Sequence, residues 1–273
     1  MKKLIVVADD FGFSEAYSLG AIKAWKEGIV TALSLMPNMA AAPFAVELAK
    51  REAPGACLVQ HTNFVQGRPC SDPRDIPSMV DENGLFYRSS KWKSEDSGDK
   101  KCVGHVVVTK EDCKKETRSQ LERFKELTGA CPIHFEGHSV GTKAVNEAFA
   151  EVAAETGIHC SSAPEIETDT LFAAHELLFA LKDRSMLDTM MSDPRAEHFL
   201  NDDYGLLTSP FEINILHFHP GYLDAYLLDN TSLTLPRCRD LEVLCDPRVR
   251  EWLVSHDIEL VDFSAVYKSG APT

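Results

Sequence analysis

The stretch LIVVADDFGFSEA, residues 4–16, decides the fold. Leu4 to Ala8 form an unbroken apolar run, the signature of a buried strand. It ends abruptly in two adjacent carboxylates, Asp9 and Asp10, followed by Phe11-Gly12 and a helix-opening Ser14-Glu15-Ala16. Like charges held that close oppose each other's ionisation, so the pair calls for a compensating partner, and a bound cation is one such partner.

Working outward, the same strand-then-helix grammar repeats to the end of the chain. LIVVAD (4–9), TALSLMP (31–37), ACLVQH (56–61), CPIHFEGH (131–138), GIHCSSA (157–163), INILHFHPG (213–221) and IELVDFS (258–264) read as strands. Helices are expected over 15–27, 43–52, 110–128, 142–156, 170–182 and 239–255, the first stopped by Gly28 and the third by Gly129. About seven strands alternating with helices imply an α/β fold with a mostly parallel sheet and helices outside it, read as a barrel-like single domain spanning 1–273. Residues 65–108, rich in Pro, Gly, Ser and charge, are expected to be a lid-like insertion. Its Phe86, Tyr87 and Trp92 either offer flat faces to a sugar ring or pin the loop to the body.

The chain has 273 residues, 44% of them hydrophobic, and a formal charge of −14. That charge disfavours nucleic acid or an anionic membrane as partner, since both reward basic patches. No secretory signal or membrane-spanning run is evident. Eight scattered cysteines without a C-x-x-C pair fit reduced thiols in a cytoplasmic protein better than a disulfide framework or a structural zinc site.

In α/β barrels the chemistry collects at the C-terminal ends of the strands. There the sequence puts Asp9-Asp10, His61, His138 and His219. Each alone reads more readily as structural; their convergence points to a catalytic metal site, because imidazole and carboxylate with open positions are a common ligand set. His134, Glu136 and His138 share one strand face, with His138 nearest the rim. His217 shares a face with His219 and is a candidate supporting residue.

ADDFGFSEA, GIVTALSLMPNMAAAPFAVELA, HTNFVQGRP, HFEGH and HFHPGYLD, in this order along nearly the whole chain, resemble the YdjC-like carbohydrate deacetylases. The resemblance implies a deformed (β/α) barrel related to polysaccharide deacetylases, acting on N-acetylated mono- or oligosaccharides in carbohydrate catabolism, with a homodimer as the assembly. It implies one divalent metal ion, usually magnesium, although one Asp and two His also accommodate zinc or manganese. Asp10, His61 and His138 are the implied metal ligands, Asp9 the catalytic carboxylate and His219 the residue facing it. The run EGHSVGT departs from the family's D-G-H-x-H pattern, and HCSSAP lacks the arginine that many members carry on that strand. Glu136, Asp224 and Trp92 are candidate substrate-side residues, Asp224 also as a residue orienting His219. Whether the sugar is phosphorylated is left open. Arg68, Arg88, Lys91 and Lys93 are the loop cations that a phosphate would meet.

Amide hydrolysis then divides into three tasks: Asp9 takes a proton from water, the metal polarises the acetyl carbonyl, and His219 protonates the departing amine. A metal-independent glycoside hydrolase leaves the histidines unexplained, and a two-metal phosphoesterase needs more ligands. An inactive sugar- or metal-binding scaffold leaves the carboxylate beside the metal ligand without a purpose.

Overall fold

The computed structural model describes residues 1–93, 102–161, 168–171 and 196–267. Its strands are β1 (Lys2–Phe11), β2 (Ala32–Leu35), β3 (Cys57–Thr62), β4 (His134–Gly137), β5 (His159–Cys160), β6 (Thr168–Leu171), β7 (Ile213–Phe218) and β8 (Ile258–Leu260). Its described α-helices are α1 (Glu15–Glu27), α2 (Ala42–Glu52), α3 (Lys110–Thr128), α4 (Lys143–Thr156), α5 (Glu197–Leu200), α6 (Ala225–Asn230), α7 (Leu235–Leu244), α8 (Pro247–Ser255) and α9 (Phe263–Val266). The chain divides into two compact units. The first holds Met1–Ser34, Pro43–Leu58 and the described residues from 168 onward. The second holds Leu35–Ala42 and the described part of Val59–Glu165.

In the first unit β1 pairs in parallel with β7, from Lys3 opposite Ile213 to Ala8 opposite Phe218, and with β8, from Lys2 opposite Ile258. β6 pairs in parallel with β7. Leu4 to Ala8 are wholly buried, as expected of a parallel strand covered on both faces. α1 starts where Ser14 Oγ accepts the Tyr17 N–H at 3.2 Å, a side chain supplying the partner that the first helical turn lacks.

In the second unit β3 pairs in parallel with β4, and β4 with β5. α3 opens on Thr109, whose hydroxyl accepts from Asp112 N at 3.3 Å, and closes on Gly129 at φ 88°. The core gathers Phe64, Ile76, Met79, Phe86, Trp92, Phe135 and Phe149, among others.

The α/β class and the parallel pairing agree with the sequence. Two local expectations do not. The helix expected over 239–255 is two helices, because Pro247 has no N–H to continue the first and Asp246 caps the second by accepting Arg248 N at 2.9 Å. The helix expected over 170–182 begins on residues that belong to β6; the rest lies outside the described residues. In the described part of the insertion at 65–108, Ile76, Met79, Val80, Phe86, Trp92, Cys102 and Val108 are buried in the core of the second unit. One apolar residue every few positions suffices to fold it down.

Candidate functional site

Neighbouring residues on a regular strand point to opposite faces, so Asp9 and Asp10 should diverge. They do not, because Asp10 sits at φ 62°, a left-handed conformation that aspartate tolerates better than most residues. The turn lets both carboxylates approach one imidazole: His219 Nε2 is 4.0 Å from Asp9 Oδ2 and 4.0 Å from Asp10 Oδ2. His217, opposite Val7 in the β1–β7 register, brings Nδ1 to 3.1 Å from Asp9 Oδ1. The Tyr17 hydroxyl donates to the Asp9 carbonyl.

Two residues that the sequence did not single out hold this cluster. Arg237, buried on α7, donates from Nη2 to Asp10 Oδ2 at 2.7 Å and from Nε to the Leu233 carbonyl at 2.7 Å. Its guanidinium carbon lies 4.9 Å from the Tyr17 ring centroid and 5.5 Å from that of Phe13, within cation–π range. Three residues on, Asp240 accepts the backbone N–H of His219 through Oδ2 at 2.8 Å. Burial pushes the Asp240 carboxyl up to about 7, against the lowering pull of that N–H and of Arg237, with Asp9 adding to the rise. The Tyr17 phenol is raised well above its usual value, again chiefly by burial. The readable signal was the stripe Arg237, Asp240, Leu241, Leu244: charged residues in phase with a helix's apolar face need internal partners.

In the second unit the β3–β4 register sets His61 opposite Glu136. Glu136 Oε1 lies 3.5 Å from His61 Nδ1, and Glu136 Oε2 lies 3.8 Å from His134 Nε2. A carboxylate on Nδ1 favours a proton there and leaves the Nε2 lone pair for another partner. His138 continues the ladder, its N–H donating to the Thr62 carbonyl at 2.9 Å. Val140 N then reaches back to the His138 carbonyl at 2.8 Å around Ser139, which adopts φ 67°. Thus fixed, His138 Nδ1 sits 3.2 Å from His61 Nε2. Two ring nitrogens that close either share one proton or aim both lone pairs at one cation. The second arrangement is that of a metal centre.

Several sequence-stated roles meet other surroundings. Trp92 is 1% exposed and donates from Nε1 to the Tyr87 carbonyl at 3.2 Å, so it pins the loop and has no face open to a sugar. Asp224 Oδ1 accepts Leu227 N at 2.8 Å and caps α6, while the backbone of His219 is held by Asp240. Arg68 donates to the Asn83 carbonyl and Arg88 to Gln66 Oε1. None of the eight cysteines forms a disulfide. Among the described residues no helix is long and apolar enough to cross a membrane.

The family model described as "YdjC-like protein" matches residues 3–255. A carbohydrate deacetylase of Clostridium beijerinckii is 30% identical over 269 residues, covering 97% of this chain and all of the relative. Among solved structures, a putative cellobiose-phosphate cleavage protein from Enterococcus faecalis superposes with a TM-score of 0.77 at 24% identity, covering 97% of this chain and 98% of that one. The Bc1960 peptidoglycan N-acetylglucosamine deacetylase shares the fold more distantly, with a TM-score of 0.51 at 10% identity over 99% of this chain and 90% of that one. With its family model matched over nearly its whole length, the chain belongs to the YdjC-like protein family.

Proposed function

We propose that this YdjC-like chain is a carbohydrate deacetylase that hydrolyses the acetamide of an N-acetylated mono- or oligosaccharide, with Asp10, His61 and His138 ligating one divalent cation. The observation that carries the reading is His219 Nε2 at 4.0 Å from both carboxylates of the acid doublet, an imidazole and a base placed for proton transfer. The 3.2 Å approach of His61 Nε2 to His138 Nδ1 supports the ligand set. When bound, the cation supplies Lewis-acid polarisation of the acetyl oxygen and acidifies water.

The chain's own residues do the rest. Asp9 accepts a proton from the attacking water, and His217, donating from Nδ1 to Asp9 Oδ1 at 3.1 Å, holds that carboxylate in one orientation. The water oxygen bonds to the acetyl carbon. His219 delivers a proton to the sugar nitrogen as the C–N bond breaks, so that acetate and a protonated amine leave. Glu136 keeps the His61 ring oriented. Magnesium is the proposed ion, the cytoplasm the proposed compartment, in keeping with eight cysteines of which none forms a disulfide, and a homodimer the proposed assembly.

Three variants test the assignment. Asp9→Asn retains metal in elemental analysis and loses acetate release, whereas His61→Ala and His138→Ala lose the metal itself. Full turnover in Asp9→Asn removes the base; metal retained in both histidine variants removes the ligand set. A screen of N-acetylated sugars with and without a phosphate identifies the substrate.

A further inference from the structure

A carboxylate buried at a strand end must be neutralised, and for Asp10 the protein itself does so. Arg237 is 1% exposed and Asp10 fully buried. The guanidinium is bonded on two edges, to Asp10 Oδ2 and to the Leu233 carbonyl, and stacked near two rings, Tyr17 and Phe13. Such a group has one orientation open to it. It is also an always-charged group taken out of water, affordable only beside an anion.

We propose that Arg237 is a resident counter-cation for Asp10, which lets the acid doublet fold in the metal-free protein and lowers the affinity with which a divalent ion is then held. A dication held at the Asp10 carboxylate would face the guanidinium already bonded to Oδ2, and the two cations would repel each other, weakly screened at a buried site. The affinity clause rests on the metal reading given above; the folding clause does not. Arg237 is in this view a positioning residue, touching neither sugar nor water.

The test compares the parent with Arg237→Met, which refills the slot between the two rings, with Arg237→Lys, and with the double variant Arg237→Met/Asp10→Asn. In EDTA, Arg237→Met unfolds about 10 °C below the parent, the cost of stranding a buried charge in a chain of this size. Arg237→Lys falls between them, and removing the stranded charge with Asp10→Asn returns most of the loss. A loss that Asp10→Asn leaves untouched means that Arg237 acts by packing and overturns the folding clause. With Mn²⁺ alone as the probe in calorimetry, Arg237→Met binds roughly tenfold tighter than the parent and gains more in its unfolding midpoint on saturation. Equal or weaker binding overturns the affinity clause. A parent that binds no Mn²⁺, Mg²⁺ or Zn²⁺ overturns the metal reading and that clause together, while the metal-free comparison still decides the folding clause.

Discussion

Gly20→Ala sets two physical effects of known sign against each other. Gly20 lies inside α1, where alanine is favoured over glycine by about 1 kcal/mol of intrinsic propensity. A Cβ built there, however, meets Gly221 Cα at 2.6 Å, Tyr222 N at 2.8 Å and Gly221 C at 2.9 Å, where ordinary contact begins at 3.4 Å. The deficit at the nearest atom is 3.4 − 2.6, or 0.8 Å. All three obstructing atoms are backbone, so no rotamer can swing away. From the opposite side, a Cβ on Gly221 would lie 2.1 Å from the Tyr17 ring. The two glycines and Tyr17 form a closed contact, and something in the backbone must move.

Overpacking costs about 1–3 kcal/mol, and the backbone nature of the clash argues for the upper part of that range. Net of the propensity gain, Gly20→Ala should destabilise by about 1–2 kcal/mol, a midpoint roughly 4 °C lower in a protein of this size. What yields is the segment that carries His219, two residues before Gly221. A misplacement of about 1 Å can lower a rate on the order of a hundredfold, so turnover should fall by one to two orders of magnitude, far beyond what the lost stability explains. The assays are thermal unfolding by circular dichroism and acetate release from an N-acetylated sugar. A raised midpoint with full turnover would show that helix propensity wins and would refute the reasoning.

Three further expectations follow from the same contacts. The Asp240 carboxyl, raised from 3.8 to about 7 by burial, binds its proton more tightly in the folded than in the unfolded state. Its contribution to stability is therefore complete below about pH 4 and is lost as pH rises through 7. Asp240→Asn keeps an acceptor for the His219 N–H and removes that loss, so urea unfolding of metal-free protein should favour the variant by roughly 2–4 kcal/mol more at pH 8 than at pH 5; parallel curves would exclude Asp240 as the titrating group. Trp92→Ala should cost about 3–5 kcal/mol as a large-to-small core change, with the sugar KM within about twofold of the parent, because the indole is closed off from solvent; a tenfold rise in KM at unchanged fold would restore the sugar-platform role. Asn63→Ala removes bonds to Asn38 Oδ1, the Gln66 carbonyl, Val65 N and Gln66 N and should lower chemical stability by about 2–4 kcal/mol; a change under 0.5 kcal/mol would show that water replaces the network.

The opening strand was legible because burial on both faces leaves an uninterrupted apolar run, and Leu4 to Ala8 carry one. His134, Glu136 and His138 were legible as a group because strand alternation is a short-range rule. The pairing of Glu136 with His61 was not, since it needs the offset between β3 and β4, and nothing local fixes that offset. Arg237 and Asp240 escaped for a different reason: 227 residues separate Arg237 from Asp10, and a charged helix reads as solvated until its neighbours are known. Trp92 was ambiguous in sequence because an aromatic ring in a polar loop serves equally well as an anchor or as a platform, and only its exposure decides.

Arg237 also alters what the acid doublet proves. Two adjacent carboxylates require positive charge nearby, and the sequence alone offers a metal as the supplier. Once a buried guanidinium is found on Asp10 Oδ2, that requirement is met for Asp10 without any ion, so the doublet by itself no longer argues for one. The weight shifts to the pair of imidazoles, where His61 Nε2 and His138 Nδ1 stand 3.2 Å apart. If those two rings share a single proton, their signals in a histidine NMR experiment should be indifferent to added Mg²⁺ or Zn²⁺. If they share a cation, the signals of both rings should shift together as the ion is added, because the ion displaces the shared proton.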